Sequence, residues 1–170
     1  MPARADSFDL GGLKLSPGEA RRLELNVSLG EFDFGDERYA TPDAVPAQLD
    51  VSRMVGGGYS LRLRLDSPIS GPCMRCLEPA SPTTSVDVRE VDQPGGGEEL
   101  TSPYVSGDEL DVRAWAHDAF ALALPAQVLC RADCLGLCPE CGANLNADPQ
   151  HAHEAAPDSR WAKLRELKLE

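Results

Sequence analysis

Three stretches of the chain alternate apolar and polar residues with the period of a half-buried strand. Residues 21–29 place Leu23, Leu25, Val27 and Leu29 on one side. Residues 47–55 do the same with Ala47, Leu49, Val51 and Val55. Tyr59, Leu61, Leu63 and Leu65 then alternate strictly with Ser60, Arg62, Arg64 and Asp66. Between the last two stretches, Gly56, Gly57 and Gly58 supply the positive φ angles of a tight turn, so the pair reads as an antiparallel hairpin with one wet face. A further strand is predicted over 83–91. The period changes at Val112. From there Trp115, Ala116, Ala119, Phe120 and Ala123 continue one helical stripe, with Asp111 as N-cap and Pro125 as stop. The stripe reads as core packing. A last helix is predicted over 158–167, capped by Asp158, with Trp161 and Leu164 on one side. Residues 1–20 read as a turn-rich arm, 31–46 as an acidic connection, and 92–106 as a mobile glycine-rich loop. No internal repeat is visible. The pattern predicts an α+β fold: an antiparallel β-sheet with one main amphipathic helix and C-terminal loops held by other means.

The chain has 170 residues, 42% apolar and 5% aromatic, which suits one domain with a mostly aliphatic core. No window approaches the roughly 18 consecutive apolar residues of a membrane helix. The N-terminal MPARADSFDLGG lacks the apolar segment of a secretory signal. An unexported chain keeps its thiols reduced, so six cysteines read as metal or redox chemistry rather than a disulfide framework. The formal charge of −12 argues against bulk attraction to nucleic-acid phosphate. It favours a basic protein partner, or solubility alone. The acidity is localised: residues 31–50 hold six acids and one base, residues 87–118 nine acids and two bases, and together they carry the whole net charge. These are either solvated acidic loops or an acidic docking surface.

The cysteines fall into two clusters. Cys73-x2-Cys76 follows the predicted hairpin, and Cys130-x3-Cys134-x3-Cys138-x2-Cys141 follows the long helix. A Cys-x2-Cys turn points two thiolates at one ion, and zinc takes four such ligands in a tetrahedron. Pro72, Gly136, Pro139 and Gly142 are the turn residues that such knuckles need. Two of the three histidines form His151-x-His153 shortly after Cys141, and imidazole is the other common zinc donor. The favoured partition places Cys73, Cys76, Cys130 and Cys134 around one Zn2+ and Cys138, Cys141, His151 and His153 around a second. The alternatives are a single four-cysteine site at Cys130, Cys134, Cys138 and Cys141, free or redox-active Cys-x2-Cys pairs, and loop histidines that ligate nothing. His117 reads as solvated on the polar side of the helix. The motifs weigh against enzymatic readings. Pro72-Cys73-x2-Cys76 lacks the upstream His-x-Glu of a zinc deaminase, LEPASP after Cys76 cannot begin the helix of a thioredoxin-like site, and four protein ligands leave no position for water. No phosphate loop, Ser–His–Asp arrangement or HExxH is present.

Taken together, CMRCLEP at Cys73–Pro79, LALP at Leu122–Pro125 and LCRADCLGLCPECGANLN at Leu129–Asn146 resemble the YceD-type family, the large ribosomal RNA subunit accumulation proteins. The resemblance extends to Asp158-x-Arg160-Trp161 and covers roughly the last hundred residues. It is that of an actinobacterial-like member, in which His151-x-His153 stands where such members carry Cys-x-Cys. It implies a single YceD-like domain over 1–170 with a C-terminal zinc-knuckle extension at about 126–170. The implied function is non-enzymatic and cytoplasmic: ribosome biogenesis and the accumulation of large-subunit (23S) ribosomal RNA. The expected partner is a ribosomal protein or pre-ribosomal particle, with no membrane and no small-molecule substrate. An acidic surface suits a basic ribosomal protein. Direct binding of precursor rRNA, with a local basic patch at Arg62, Arg64 and Arg75, is the alternative reading, and a thiol-redox or zinc-dependent enzyme is a third, less favoured one.

Overall fold

The computed structural model describes residues 6–153, so the helix expected over 158–167 lies outside the described residues. Two compact units are present, Met1–Cys134 and Leu135–Glu170. In chain order the strands are β1 (Phe8–Asp9), β2 (Ala20–Val27), β3 (Glu31–Phe34), β4 (Glu37–Ala40), β5 (Val45–Arg53), β6 (Tyr59–Pro68), β7 (Gly71–Pro72), β8 (Pro79–Ala80), β9 (Thr83–Asp92), β10 (Val105–Ser106) and β11 (Glu109–Leu110). The helix α1 (Val112–Ala123) follows. The architecture is mostly antiparallel β with one main helix, an α+β arrangement.

The main sheet has the order β2-β5-β6-β9, antiparallel throughout. Its register stacks Leu25, Ala47, Leu65 and Val86 in one row and Leu23, Leu49, Leu63 and Val88 in the next, all on one face. Helix α1 covers that face with Val112, Trp115, Ala116, Ala119 and Phe120, the stripe expected from the sequence. It touches both edge strands, β9 and β2. Strands lie about 4.8 Å apart, so one helix reaches both edges only because the sheet curls around it. The Asp111 carboxylate accepts from the Ala114 N–H at 2.8 Å, capping the first turn.

The opposite face is polar, and its charges are paired across strands. Arg22 and Arg64 both donate to Asp50, at 2.6 Å each. Arg62 donates to Asp87 at 2.7 Å. The Arg22 guanidinium, followed by that of Arg64, holds the Asp50 carboxyl below the ordinary carboxylate range, and Arg62 does the same for Asp87.

Four expectations need correction. Val55 does not join the buried row of β5: it is 85% exposed. The strand ends at the Arg53–Tyr59 pair, and Val55 sits in the turn closed by Met54 N–H donating to the Gly58 carbonyl. Residues 31–46 are more than an acidic connection, because β3 and β4 form a hairpin with Phe32 opposite Tyr39 and Gly35 at φ +65° in its turn. Pro46 lies near the start of β5, where the ladder with β6 has not yet begun and no N–H is needed on that side. His117 is half-buried rather than solvated. The β3–β4 hairpin lays Phe32 flat on its ring, at 4.6 Å between centroids and 6° between planes, and His117 Nδ1 lies 2.6 Å from the Leu29 carbonyl oxygen. The 92–106 segment, expected as a mobile loop, is not structureless: Gln93 N–H donates to the Leu100 carbonyl (2.7 Å), Ser102 N–H donates to Asp92 (3.3 Å), Glu98–Leu100 forms a 3-10 turn, and the segment ends in β10.

Two measurements test this arrangement. Asp111→Ala should cost about 1 kcal/mol in urea denaturation, the usual worth of an N-cap. Because the folded pKa of Asp50 is depressed, its contribution is fully present above about pH 4, the unfolded range for aspartate, and is lost as pH falls through the folded value. The urea midpoint of the wild-type chain should therefore fall more steeply with acid than that of Asp50→Asn.

Candidate metal centres

The first cluster is built in the unit Met1–Cys134. After β7 the chain turns back at Cys73 so that Cys73 N–H donates to the Glu78 carbonyl at 2.8 Å and Leu77 N–H to the Cys73 carbonyl at 2.9 Å. This knuckle aims the Cys73 and Cys76 sulfurs at one point. The segment after α1 is docked beside it. Met74 N–H donates to the Val128 carbonyl at 2.9 Å, and Arg75 donates to Gln127 at 3.2 Å and to the Cys134 carbonyl at 3.1 Å. Tyr39 from the β3–β4 hairpin reaches in from the other side, its hydroxyl donating to the Pro72 carbonyl at 2.8 Å. Cys130 and Cys134 then complete a group of four, with Cys73 Sγ 3.8 Å from Cys134 Sγ and Cys76 Sγ 3.6 Å from Cys130 Sγ. All four sulfurs lie within 4.8 Å of one another.

The second cluster lies in the unit Leu135–Glu170. Cys138 N–H donates to the Ala143 carbonyl at 2.8 Å and Gly142 N–H to the Cys138 carbonyl at 2.9 Å, so the same knuckle geometry recurs. Gly142 takes φ +73° at its exit. Asn144 Oδ1 receives both the backbone N–H and the side-chain amide of Asn146, holding the turn that follows. Cys138 Sγ is 3.3 Å from His153 Nε2, Cys141 Sγ is 3.2 Å from His151 Nε2, and the two Nε2 atoms are 3.0 Å apart. The rings meet edge to face at 83°.

The two sulfur–sulfur edges of the first group match tetrahedral zinc coordination, and the edges of the second are about 0.3 Å shorter than zinc would set. Zn–S near 2.3 Å and Zn–N near 2.0–2.1 Å imply edges of about 3.8 Å between sulfurs, about 3.6 Å from sulfur to nitrogen and about 3.3 Å between nitrogens. All six cysteines are free. In the first group, burial raises the Cys73 thiol, but the backbone N–H groups of Arg75, Cys130 and Cys76 outweigh it and bring it down to about 6. At Cys130, desolvation of the sulfur, followed by the facing thiols of Cys76, Cys134 and Cys73, pushes it up to about 12. The backbone N–H groups of Cys141 and Glu140 bring Cys138 to about 6. Four thiolates at one point need a cation.

Two carboxylates not singled out from the sequence stand behind the imidazoles. Glu140 Oε2 is 3.5 Å from His153 Nδ1, and Asp148 Oδ2 is 3.9 Å from His151 Nδ1. A carboxylate on the far ring nitrogen is the usual outer partner of a metal-ligating histidine, and these two stand on that side without yet reaching hydrogen-bond distance. The sequence signal was modest: Glu140 inside its Cys-x2-Cys and Asp148 three residues before His151.

The proposed basic patch does not assemble as free charge. Arg62 and Arg64 are bound to Asp87 and Asp50, and Arg75 is directed into the knuckle.

Comparison with known proteins adds family membership. An uncharacterized protein of Mycobacterium tuberculosis is 37% identical over 168 residues, covering 95% of this chain and 80% of its own. An uncharacterized protein of Mycobacterium leprae is 29% identical, covering 94% and 76%. The large ribosomal RNA subunit accumulation protein YCED homolog 1, chloroplastic, of Zea mays is 28% identical over 179 residues, covering 83% of this chain and 58% of its own. No solved structure matches. The family model described as large ribosomal RNA subunit accumulation protein YceD matches residues 61–168, more than half of the chain and the stretch that carries both cysteine clusters, and the chain therefore belongs to the YceD family.

Proposed function

We propose that this protein is a cytoplasmic ribosome-biogenesis factor that supports accumulation of large-subunit ribosomal RNA by binding a ribosomal protein or a precursor particle. The family match carries the reading. The charge distribution supports the choice of partner. A chain of formal charge −12 attracts basic proteins over long range. Direct RNA binding would need arginines able to displace phosphate counterions, and Arg62 and Arg64 already have carboxylates at 2.7 and 2.6 Å.

In this proposal both cysteine groups hold Zn2+. Thiolates and imidazoles at tetrahedral spacing suit zinc. With four protein ligands each, neither ion keeps a position for water, so the proposed role is structural and the protein non-enzymatic. The first ion, on Cys73, Cys76, Cys130 and Cys134, joins the end of the sheet to the segment after α1. The second, on Cys138, Cys141, His151 and His153, closes a short loop that has little apolar core of its own. Binding energy at such sites is folding energy.

Elemental analysis of the purified protein should give two zinc ions per chain. Cys138→Ser should lower this to one and leave the main sheet folded. Cys73→Ser or Cys134→Ser should unfold the larger unit and release its metal, and either variant remaining folded at full zinc content would refute the structural role. For the partner, large-subunit ribosomal proteins should stay bound to the tagged chain after RNase treatment of a lysate. Their loss with RNase would move the reading to RNA.

A further inference from the structure

The two Cys-x2-Cys knuckles of this chain have one backbone but differ at the residue that leaves them. Both close with the first cysteine's N–H bonded five residues ahead, at 2.8 Å, and with the fifth residue's N–H bonded back at 2.9 Å. The exit residue takes a left-handed conformation in each case, φ +73° at Gly142 and φ +62° at Leu77. Glycine adopts this conformation without strain, whereas a leucine there is a genuine outlier. Leu77 recovers nothing by burial, because it is 64% exposed. A strained apolar side chain held out in water is a local conflict of the kind that marks functional positions.

Its surroundings are apolar as well. Leu77, Pro72, Pro79 and Ala80, with Ser70 and Ser81, line an open and mostly apolar groove of about 580 Å³ on the knuckle. Gly71 lies directly under the buried Tyr39 ring, and Phe34, 39% exposed, meets that ring edge-on at 5.3 Å. The rim is acidic. Glu78 follows Leu77, and Glu37 stands within electrostatic reach of the Tyr39 hydroxyl that donates to the Pro72 carbonyl, both acids exposed. The arginine of the β3–β4 hairpin, Arg38, is taken up by Glu31 and Asp33 at 3.3 Å each. Arg75 is turned toward Gln127 and the Cys134 carbonyl.

We propose that Leu77 and this groove form the docking surface for a basic protein segment carrying a leucine- or phenylalanine-sized anchor, with the acidic rim selecting its charge. The proposal rests on the ribosomal role proposed for the chain and names the face and the chemistry of the partner. The left-handed conformation makes it separable from stability. Leu77→Asn and Leu77→Gly remove the side chain at a position better suited to the new residue, so the thermal midpoint should stay within about 2 °C of the wild type or rise.

The test uses the full zinc-loaded chain on an array of overlapping peptides covering the large-subunit ribosomal proteins. Retained peptides should combine Lys or Arg with a large apolar residue, should weaken with salt, and should bind Leu77→Asn at least about tenfold less. Val55→Gly, which removes an exposed side chain on the β5–β6 turn, should bind as the wild type does. The proposal is overturned if no peptide is retained, if acidic peptides bind equally, if Leu77→Asn binds undiminished, or if its midpoint drops as a core truncation would. It is likewise overturned if a 20-nucleotide large-subunit RNA probe shows the same dependence on Leu77, which would make RNA the occupant. Failure of the ribosomal reading is seen separately. In that case Leu77-dependent binding to basic, apolar-anchored peptides persists on the array while no ribosomal protein is recovered from lysate.

Discussion

Two pairs of sulfurs, separated from each other by 54 to 61 residues, converge in the larger unit, and much of that unit is arranged so that they can. Ionising all four thiols at one point is unfavourable without a cation: desolvation, followed by the facing thiols, raises Cys130 to about 12. The convergence therefore rests on supports placed around it. The Met74–Val128 backbone bond fixes the segment after α1 against the knuckle. Arg75 holds the Cys134 carbonyl, and Tyr39 holds the Pro72 carbonyl just before Cys73. Each support belongs to a different part of the chain. The sheet, the hairpin and the helix exit are thereby tied to one point.

The curled sheet makes that geometry possible. Because α1 is gripped by both edge strands, its C-terminal end is set relative to β6 and β9, which enclose the Cys73 knuckle in sequence. Pro125 then ends the helix, and Val128, almost fully buried, turns the chain toward Met74. The β3–β4 hairpin contributes twice. Phe32 closes over His117 and Phe120 on the helix, while Tyr39 braces β7. A hairpin of two four-residue strands thus links core and cluster.

The second cluster is held differently. Its four donor atoms come from residues 138–153, its histidines have carboxylates behind them, and its turn is held by asparagine side chains. Such a loop depends on local polar bonds and on its ligands rather than on burial. The two knuckles, alike in backbone, differ in what they present. One carries a glycine at its exit, and the other carries an exposed leucine beside an apolar groove. On the wet face of the sheet, arginines are paired with aspartates across strands, leaving the acids elsewhere to set the character of the surface.

Short-range spacing governs which features can be read from the order of residues. The alternation at 59–65 and the stripe from Val112 follow from the geometry of a single strand or helix, so both are legible in the sequence, down to the Asp111 cap. The knuckles are legible for the same reason, since Cys-x2-Cys with a turn residue is a local constraint. The β3–β4 hairpin is not, because two four-residue strands give too little alternation to stand out among acidic residues. The burial of His117, the exposure of Val55 and the neutralisation of Arg62 and Arg64 are also beyond the reach of local pattern. Each depends on which distant residue arrives opposite, and that is set by strand register and by the curl of the sheet around one helix. Such pairings emerge only in the folded chain, because side chains remote in sequence interact through distances that the order of residues does not specify.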